Sequence, residues 1–268
     1  MKLKAPLIAE ERLAGQFIIL QVNDDYGERI PLTIADADIN EGTITIIFQV
    51  VGKTTAELSL LNIGDELPAL VGPLGKPTHI ENFGTVVCVG GGIGVAPLHP
   101  IAQALKNAGN KVITIIGARN KDLIILEDEM KNIADEFIIC TDDGSYGRKA
   151  LVTEPLKEIC EREIKPNMVI AIGPPIMMKY CSLTTKPFNI FTQVSLNTIM
   201  VDGTGMCGGC RVNVGNQVKF VCVDGPEFDG HQVDFDNMML RLNSYKQIER
   251  EAHSCYLEKL VEEKEMKS

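Results

Sequence analysis

Three cysteines and one aspartate stand close together near residue 210, with a spacing that constrains how this part of the chain folds. The segment Asp202-Gly203-Thr204-Gly205-Met206-Cys207-Gly208-Gly209-Cys210 is followed by Cys222, which gives the pattern D-x4-C-x2-C-x11-C. The plant-type [2Fe–2S] loop reads C-x4-C-x2-C, with a fourth cysteine elsewhere in the chain. An aspartate stands here in place of the first cysteine. The segment is therefore predicted to be a metal-binding loop with Asp202, Cys207, Cys210 and Cys222 as ligands.

The residues between Cys210 and Cys222 are predicted to form a β-hairpin. Apolar and polar residues alternate on both sides of Gly215-Asn216, and alternation around such a pair is typical of two antiparallel strands joined by a tight turn. This hairpin would bring Cys222 beside the other three ligands.

Three interpretations of the loop fit these residues. The first is a [2Fe–2S] centre with three cysteine ligands and one aspartate ligand, which the x4/x2 spacing favours. The second is a structural zinc site with the same ligands. In the third, Asp202 only caps a turn and another ligand completes the site. The first interpretation predicts two iron ions and two acid-labile sulfides per chain.

A second motif joins an apolar run to a glycine-rich turn. Residues 85–89 read as a buried strand, and a helix opened by Pro97 follows the turn. A turn without side chains lets backbone N–H groups approach a pyrophosphate, although tight packing of strand on helix explains such a turn equally well. Val95 breaks the G-x-G-x-x-G register, so this is not the ordinary dinucleotide fingerprint. The predicted nucleotide-binding residues of this turn are Gly90, Gly91, Gly92, Gly94, Val95, Ala96 and Pro97.

Three later apolar runs, at 111–116, 137–140 and 168–172, also end in turns rich in Gly, Asp or Pro. Parallel strands place such turns on one carboxyl edge of a sheet, where α/β folds bind ligands. Arg119 suits a 2′-phosphate, whereas no acidic residue directly follows the second strand to hold a ribose diol. The residues therefore leave NAD(H) and NADP(H) equally favoured. The further predicted nucleotide-binding residues are Gly117, Arg119, Asp143, Gly144, Gly173, Pro174 and Met177.

Two short motifs in the first third of the chain suit a flavin. The segment Arg29-Ile30-Pro31-Leu32-Thr33 places a cation, an extended backbone and a hydroxyl along one strand, which fits a pyrophosphate and the edge of an isoalloxazine ring. Gly52-Lys53-Thr54-Thr55 opens a short helical pattern over residues 56–61, whose N-terminus suits the pyrophosphate. The plainer alternatives are a surface arginine at position 29 and an ordinary N-cap at Thr54. The predicted FAD-binding residues are Arg29, Pro31, Leu32, Thr33, Gly52, Lys53, Thr54 and Thr55.

The pattern of apolar residues changes twice along the chain and predicts three domains. Residues 1–83 show short strands typical of an antiparallel FAD-binding β-barrel. Residues 84–186 alternate strand and helix patterns, which predicts a doubly wound parallel-sheet NAD(P)-binding α/β domain. Residues 187–268 are predicted to form a small [2Fe–2S] domain that ends in a charged, amphipathic helix. That helix could simply pack on its own domain, but docking on a partner protein is favoured.

Composition excludes several classes of protein. The 268 residues carry a formal charge of −10, with nine Phe, five Tyr and no Trp, which disfavours a nucleic-acid binder. We expect neither a signal peptide nor a transmembrane helix, and therefore a cytoplasmic protein away from the membrane. The cysteines outside the loop are expected to be packing residues: Cys88, Cys140, Cys160, Cys181 and Cys255.

At these motifs the chain resembles the ferredoxin–NADP reductase superfamily, in its branch of electron-transfer subunits with a C-terminal [2Fe–2S] domain. The resemblance covers nearly the whole length and rests on residues 29–33, 52–55, 90–97 and the cysteine loop. Residues 195–210 look like the small subunit of NADH-dependent reduced ferredoxin:NADP oxidoreductase, also called sulfide dehydrogenase. The related electron-transfer subunit of dihydroorotate dehydrogenase B carries four cysteines, and this sequence departs from it at Asp202.

The resemblance implies electron transfer between NAD(H), FAD and a [2Fe–2S] cluster within a heterodimer that bifurcates electrons. The implied partner is a larger subunit that resembles the small subunit of glutamate synthase and holds a second flavin and [4Fe–4S] clusters; ferredoxin is reached through the complex. The cofactors carry the chemistry, so no side chain is predicted to be catalytic. The four histidines are expected to be structural or exposed: His79, His99, His231 and His253.

The same sequence motifs are also compatible with other functions. One is a self-sufficient NAD(P)H:acceptor reductase, and another is the electron-transfer subunit of a dihydroorotate dehydrogenase, against which Asp202 argues. A third, outside the enzymes, is a zinc-stabilised nucleotide-binding regulator.

Overall fold

The structure is a computed structural model, and it describes residues 1–24 and 27–267, with side chains throughout except at 259–260 and 263–267. Within these ranges, no helix is both long enough and apolar enough to cross a membrane. Three sheets organise the chain: one of five strands, one of seven and one of two.

The first sheet is antiparallel and built from the N-terminal residues. Its strands follow the order β1-β4-β3-β2-β5, and alternate residues of each strand point to a shared core that includes Ile18, Ile34 and Ile44. The antiparallel half of the predicted fold is confirmed. Its elements are β1 (Lys2–Lys4), α1 (Pro6–Glu11), β2 (Phe17–Gln21), β3 (Arg29–Asp38), β4 (Thr43–Ile46), α2 (Lys53–Ser59) and β5 (Ala69–Leu74).

Strands and helices alternate in the next part of the chain, as predicted. The strands are apolar almost throughout because helices cover both faces of a parallel sheet. The elements are β6 (Thr85–Gly91), α3 (Val95–Asn107), β7 (Lys111–Ala118), α4 (Glu127–Ile133), β8 (Glu136–Thr141), β9 (Arg148–Lys149), α5 (Thr153–Cys160), β10 (Met168–Ile172), α6 (Pro175–Thr185) and β11 (Phe191–Ser195).

Helix α3 differs from the prediction at its start. It begins at Val95 rather than Pro97, and a 3₁₀ turn, Gly92–Gly94, precedes it. A proline fits within the first turn of a helix because the N–H groups there have no partner inside the helix. Pro97 therefore need not mark the first residue.

The C-terminal part contains the predicted hairpin, formed by β12 and β13, which pair in antiparallel fashion around Gly215-Asn216. The tail forms two helices rather than one, because the segment Asn243-Ser244-Tyr245 interrupts it, and Asn and Ser have low helix propensity. The elements are β12 (Arg211–Val214), β13 (Gln217–Phe220), α7 (Val221–Asp224), β14 (Glu227–Asp229), α8 (Phe235–Leu242) and α9 (Lys246–Lys267).

The second sheet has the order β14-β11-β10-β6-β7-β8-β9. Six of its strands pair in parallel, and β14 adds to the edge as an antiparallel strand. The sheet therefore uses two strands that follow residue 186, where the sequence places a domain boundary. The boundaries at 83/84 and 186/187 stay predictions.

The three parts of the chain pack against one another. Phe17 and Ile19 of the first sheet share a hydrophobic cluster with Val89 and Val194 of the second and Val212 of the hairpin, and helix α3 packs against β3. Strands β2 and β3 thus lie where all three parts meet.

Candidate functional site

The predicted cluster ligands come together as two pairs. In the first pair, Asp202 Oδ1 lies 3.0 Å from Cys207 Sγ. The other carboxylate oxygen, Oδ2, is held within the loop because it accepts hydrogen bonds from Thr204 Oγ1 at 2.8 Å and from Met206 N at 3.0 Å. These contacts, with that from Cys207 first, lower the pKa of Asp202. One oxygen therefore fixes the loop, and the other faces the exposed thiol of Cys207.

The hairpin brings the second pair together. Cys210 precedes β12 and Cys222 follows β13, and their sulfur atoms lie 3.2 Å apart in a buried position. Burial raises the pKa of the Cys222 thiol to about 12, and the neighbouring Cys210 adds to this shift. A bare Cys222 would thus stay protonated at neutral pH, and a bound metal would be needed to hold it as a thiolate. The hairpin therefore brings Cys222 beside Cys210, and the convergence of all four ligands stays a prediction.

Gly203 sets the loop directly on the first sheet. Its φ is +74°, and a Cβ atom there would lie 2.7 Å from Ile19 Cγ1 and 2.8 Å from Leu74 Cδ1. Any side chain at this position would be strained and would lift the loop off strands β2 and β5. The loop is therefore seated on the antiparallel sheet by the close approach of its backbone.

The pairing of the ligands fits a group with two metal ions better than a single ion. Four-coordinate zinc needs its four ligands around one point, whereas the contacts in this loop join the ligands two by two. Asp202 with Cys207 and Cys210 with Cys222 instead provide two ligands at each of two positions. A [2Fe–2S] cluster takes four protein ligands for two irons, so the residues present fit it.

The face of β3 that carries the flavin motif is shared with β2. Cross-strand partners point to the same face of a sheet, and Arg29, Pro31 and Thr33 pair with Gln21, Ile19 and Phe17. Gly203 rests on Ile19 of that face. Leu32 points the opposite way, into the core of the first sheet, so only its backbone is available to a flavin. Arg29 is exposed, and no ion pair involves it within the described residues.

The second flavin motif opens α2 in a different way from the one expected. Gly52 is the N-cap, and Thr54 lies inside the helix, where its buried hydroxyl donates to Glu28 Oε2 at 2.6 Å. The alternative of an N-cap at Thr54 is wrong, because the helix already begins at Lys53 and the Thr54 hydroxyl donates to Glu28. Thr55 Oγ1 accepts from Gly52 N at 3.1 Å, and Lys53 Nζ lies 3.8 Å from Glu57.

The glycines of the turn are of two kinds: most have no room for a side chain because other atoms lie close to them, and one is free of such neighbours. A Cβ on Gly94 would lie 2.4 Å from Ile172 O, and one on Gly91 would collide with Met177 Sδ. Gly90 is likewise closed in by Val95 and Leu98. Around Gly92, however, no atom lies within 4 Å of a Cβ position, and its φ is +54°. Packing therefore explains most of this turn, and Gly92 is the position where backbone is open to a ligand.

The turns that follow the parallel strands lie on one edge, as predicted. The turn after β7 meets the turn after β8, since Asp143 N donates to Arg119 O at 3.2 Å and Lys121 N donates to Ser145 Oγ at 2.9 Å. Arg119 and Asp143 are exposed, and the hydrogen bond with Ser145 lowers the pKa of Asp143.

The remaining predicted residues of this edge have structural contacts. Gly117 is pressed against Val152, and Gly144, with a φ of +79°, against Lys149. A Cβ on Gly173 would lie 2.8 Å from Met177 Cε and 3.1 Å from Gly91 Cα, and a Cβ on Gly91 would lie 3.2 Å from Pro174 Cδ. Val95 and Ala96 are buried at the start of α3, and Pro97 is half-buried.

Two polar residues at or near these sites carry no signal in the sequence. Asn120 Oδ1, beside Arg119, is buried and accepts no hydrogen bond from the described residues. Glu227 is a carboxylate whose pKa is raised to about 7, chiefly by burial. An isolated Asn in a turn and an isolated Glu after a proline are ordinary surface patterns, so sequence reasoning missed both.

The scattered cysteines follow the prediction with one exception. Cys88, Cys140, Cys160 and Cys181 are buried, and Cys255 is exposed on α9. Burial raises the pKa of Cys88 and of Cys181 to about 12. These thiols pack in the core, and the expectation for Cys255 is wrong because its side of α9 faces solvent.

Two family models match the chain. The iron–sulfur cluster binding domain of dihydroorotate dehydrogenase B matches residues 197–234, which include all four ligands of the loop. The oxidoreductase NAD-binding domain matches residues 88–182, which include the glycine turn and the edge formed by the parallel strands.

Similar proteins extend over almost the whole chain. The chain is 50% identical to the dihydroorotate dehydrogenase B (NAD(+)) electron transfer subunit homolog of Thermotoga maritima, over 94% of this chain and 89% of that protein. It is 31% identical to the electron transfer subunit of Fusobacterium nucleatum dihydroorotate dehydrogenase B, with 88% and 92% covered. A chain from the structure of an NADH-dependent reduced ferredoxin-NADP oxidoreductase, described for flavin-based electron bifurcation, matches with a TM-score of 0.89 and 48% identity, with 96% and 92% covered.

Proposed function

This chain belongs to the family of dihydroorotate dehydrogenase B electron-transfer subunits and their homologues, within the ferredoxin–NADP reductase superfamily, and we propose that it serves an electron-bifurcating NADH-dependent ferredoxin:NADP oxidoreductase. It is an oxidoreductase chain whose fold combines an NAD-binding domain with an iron–sulfur binding domain. In our proposal it passes electrons between NAD(H), FAD and a [2Fe–2S] cluster.

One observation carries this proposal: three separate motifs meet at strands β2 and β3. The cluster loop rests on Ile19 through Gly203, and Ile19 shares its face with Pro31 of the flavin motif. Helix α3, which follows the glycine turn, packs against β3. A flavin on this face would lie between the nucleotide and the cluster, which is the order that a relay from a hydride donor to a one-electron carrier requires.

The chemistry of the relay belongs to the cofactors, since a bound flavin exchanges electrons in pairs with a nicotinamide and singly with an iron–sulfur cluster. The side chains bind and orient. In our proposal, Arg29 pairs with the flavin pyrophosphate, Thr33 contacts the edge of the ring and the open backbone at Gly92 receives the nucleotide phosphates. Asp202, Cys207, Cys210 and Cys222 hold the cluster.

The exposed side of the cluster loop indicates where electrons would leave the chain. Cys207 and Met206 are exposed, whereas Cys210 and Cys222 are buried against the sheet. The relatives are electron-transfer subunits, and this chain likewise works with a larger partner. We propose that the partner resembles the small subunit of glutamate synthase, holds a second flavin and [4Fe–4S] clusters, and passes electrons to ferredoxin, all in the cytoplasm.

An anaerobic absorbance spectrum of the purified chain tests this function. We expect flavin and iron–sulfur bands, two irons and two sulfides per chain, and bleaching of the bands by a pyridine nucleotide. Addition of NADH and NADPH to separate samples decides which nucleotide is used. A chain that stays colourless after anaerobic reconstitution with FAD, iron and sulfide contradicts the proposal, as does one that holds a single zinc ion.

A second candidate function rests on the names of the relatives. The matching chains of Thermotoga maritima and Fusobacterium nucleatum carry the name of dihydroorotate dehydrogenase B, so this chain is alternatively the electron-transfer subunit of such an enzyme. Asp202 in the first ligand position argues against it, since the loop of that branch carries four cysteines. The partner that co-purifies with the tagged chain separates the two candidate functions. An iron-rich partner supports the bifurcating oxidoreductase, whereas a partner whose complex reduces NAD(+) with dihydroorotate supports the dihydroorotate dehydrogenase.

A further inference from the structure

Glu227 lies at a junction of segments that are far apart in the sequence. It begins β14, and its carboxylate accepts hydrogen bonds from Thr78 Oγ1 at 2.7 Å and from Gln193 Nε2 of β11. Gly15, just before β2, approaches so closely that a Cβ there would lie 3.1 Å from Glu227 Oε1. The carboxylate therefore contacts the connection between the two large sheets, the edge of the parallel sheet and the start of the flavin sheet.

Backbone hydrogen bonds join the same segments around Glu227. Thr78 N donates to Ala14 O at 2.9 Å, and Lys76 N donates to Gly225 O at 2.7 Å. Leu196 N, just after β11, donates to Pro226 O at 2.8 Å. Thr78 and Glu227 are 149 residues apart, so their contact forms only when the flavin sheet, the connection and the nucleotide sheet are all in place.

The carboxylate is held by neutral groups. Of the segments packed against it, 13–16 and β11 contain no charged residue, and the connection contributes Lys76 and His79, both exposed. His79 lies 3.2 Å from Glu81, and Asp229 on the same strand accepts from His231 N and Gln232 Nε2. Within the described residues, Glu227 forms no ion pair. A half-buried carboxylate without a cation is still costly, and two neutral hydrogen bonds only partly offset that cost.

We propose that Glu227 is a positioning residue, which fixes the nucleotide-binding sheet against the flavin-binding face through its hydrogen bonds to Thr78 and Gln193. This inference rests on the proposed function. Pro226, its neighbour, packs beside Gly75 and Phe17, and Phe17 is the cross-strand partner of Thr33 in the flavin motif. A shift of β14 is thus transmitted within a few contacts to the flavin face. Hydride transfer is sensitive to such shifts, since a displacement of about 1 Å can cost about 100-fold in rate.

The test uses the full chain with its cofactors and compares four variants. Glu227→Ala removes both hydrogen bonds, Thr78→Val removes one with little change of shape, and Glu227→Gln keeps a polar group of the same size. Glu163→Gln is the matched control, because Glu163 is exposed and has no ion pair within the described residues. Two readouts are taken: the rate of flavin reduction by NADH in single-turnover experiments, and hydrogen exchange of the backbone at 75–78 and 195–196.

We expect Glu227→Ala to reduce flavin about 10-fold to 100-fold more slowly, with unchanged FAD and iron content and faster exchange at both segments. Thr78→Val should show a smaller effect of the same kind, and Glu227→Gln should restore most of the rate. An unchanged rate and unchanged exchange in Glu227→Ala would overturn the proposal. Equal losses in the Ala and Gln variants would overturn it as well, since a carboxamide oxygen can still accept from Gln193 Nε2 while its NH2 group donates to the Thr78 hydroxyl.

Two outcomes separate this inference from the proposed function. If the unmodified chain binds no flavin, the proposed function fails. Hydrogen exchange, compared between the unmodified chain and Glu227→Ala, then still tests whether Glu227 joins the segments. If Glu227→Ala does not fold, Thr78→Val decides: normal exchange and a normal rate in that variant contradict the positioning role.

Discussion

At the scale of single residues, Asp202 is the most informative position in the chain. Its Oδ1 atom faces Cys207 while Oδ2 holds the loop, so the side chain has both a structural and a ligating role in our proposal. A carboxylate is a harder ligand than a thiolate, and a change of ligand shifts the potential of a cluster.

We therefore predict that Asp202→Cys keeps a [2Fe–2S] cluster with a changed midpoint potential, and that Asp202→Ala loses most of its iron. Iron and sulfide analysis with redox titration of the anaerobic protein measures both effects. Cys255→Ser is the control, because Cys255 is also exposed but lies on α9. Full iron content in both Asp202→Ala and Cys222→Ser would show that the ligands lie elsewhere.

The glycine turn yields a second prediction at this scale. Gly94→Ala should destabilise the protein strongly, because the new Cβ would lie 2.4 Å from Ile172 O. Gly92→Ala meets no atom and should cost only about 1–2 kcal/mol, from its positive φ, while nucleotide affinity falls. Thermal denaturation and titration with NADH separate the two. Equal stability losses with unchanged nucleotide binding in Gly92→Ala would contradict the assignment of Gly92 to the phosphates.

The sequence alone could not separate these glycines. A glycine that avoids a collision and a glycine that leaves room for a ligand look the same in a sequence, and only the neighbours of each Cα distinguish them. The cysteine loop was predictable because both ligand spacing and hairpin alternation are local patterns. Glu227 was not, since its partners Thr78 and Gln193 are distant in the chain and chemically ordinary.

At the scale of elements, β11 and β14 show how a later segment completes an earlier sheet. Alternating strand and helix patterns predicted the parallel sheet up to β10, because each βα unit is local. No local pattern says that β14, after the cluster loop, returns to pair with β11 in antiparallel fashion. Because β14 follows the cluster loop in the chain, this pairing connects the loop to the nucleotide-binding sheet.

The two C-terminal helices carry a prediction about assembly. Leu240 of α8 and Ile248, Leu257 and Val261 of α9 are exposed, and large exposed apolar side chains grouped on one element often mark an interface. Deletion of residues 246–268 should weaken the complex with the larger partner. Co-purification with the partner and analytical ultracentrifugation measure the loss.

The control for this deletion is the substitution Ile248→Asp with Val261→Asp in the full-length chain, which keeps the helix but makes its apolar positions charged. Both forms should retain FAD and iron if α9 serves assembly. An intact heterodimer after the deletion would refute the docking role, and the helix would then serve only to pack against α2, which it contacts.

At the scale of the whole molecule, both polar and apolar contacts join the three parts of the chain. The shared cluster around Phe17 and Ile19 is nonpolar, so it stabilises the fold but does little to fix the relative orientation of the three parts. The hydrogen bonds of Glu227 help to fix that orientation, since hydrogen bonds require defined distances and angles. These contacts place a carboxylate where it is poorly solvated, which destabilises its charged form. The stability of the protein should therefore depend on pH.

Glu227 is expected to make the stability of the protein depend on pH. The pKa of Glu227 is raised to about 7 in the folded chain, against about 4.3 for an unperturbed Glu. The folded state therefore holds a proton that the unfolded state releases between these values, so the stability from this residue is complete below about pH 4 and is lost as pH rises to about 7. The loss is on the order of 3–4 kcal/mol.

Glu227→Gln removes this titration while it keeps the size of the side chain. We expect the variant to gain stability over the unmodified chain as pH rises from 5 to 8, by several degrees in the thermal midpoint. Asp135 and Glu136 have lowered pKa values, so their contributions change below this range and with the opposite sign. Glu163→Gln should follow the unmodified chain at every pH. If the difference between Glu227→Gln and the unmodified chain does not vary with pH, Glu227 is ionised throughout, and the two hydrogen bonds fully offset its burial.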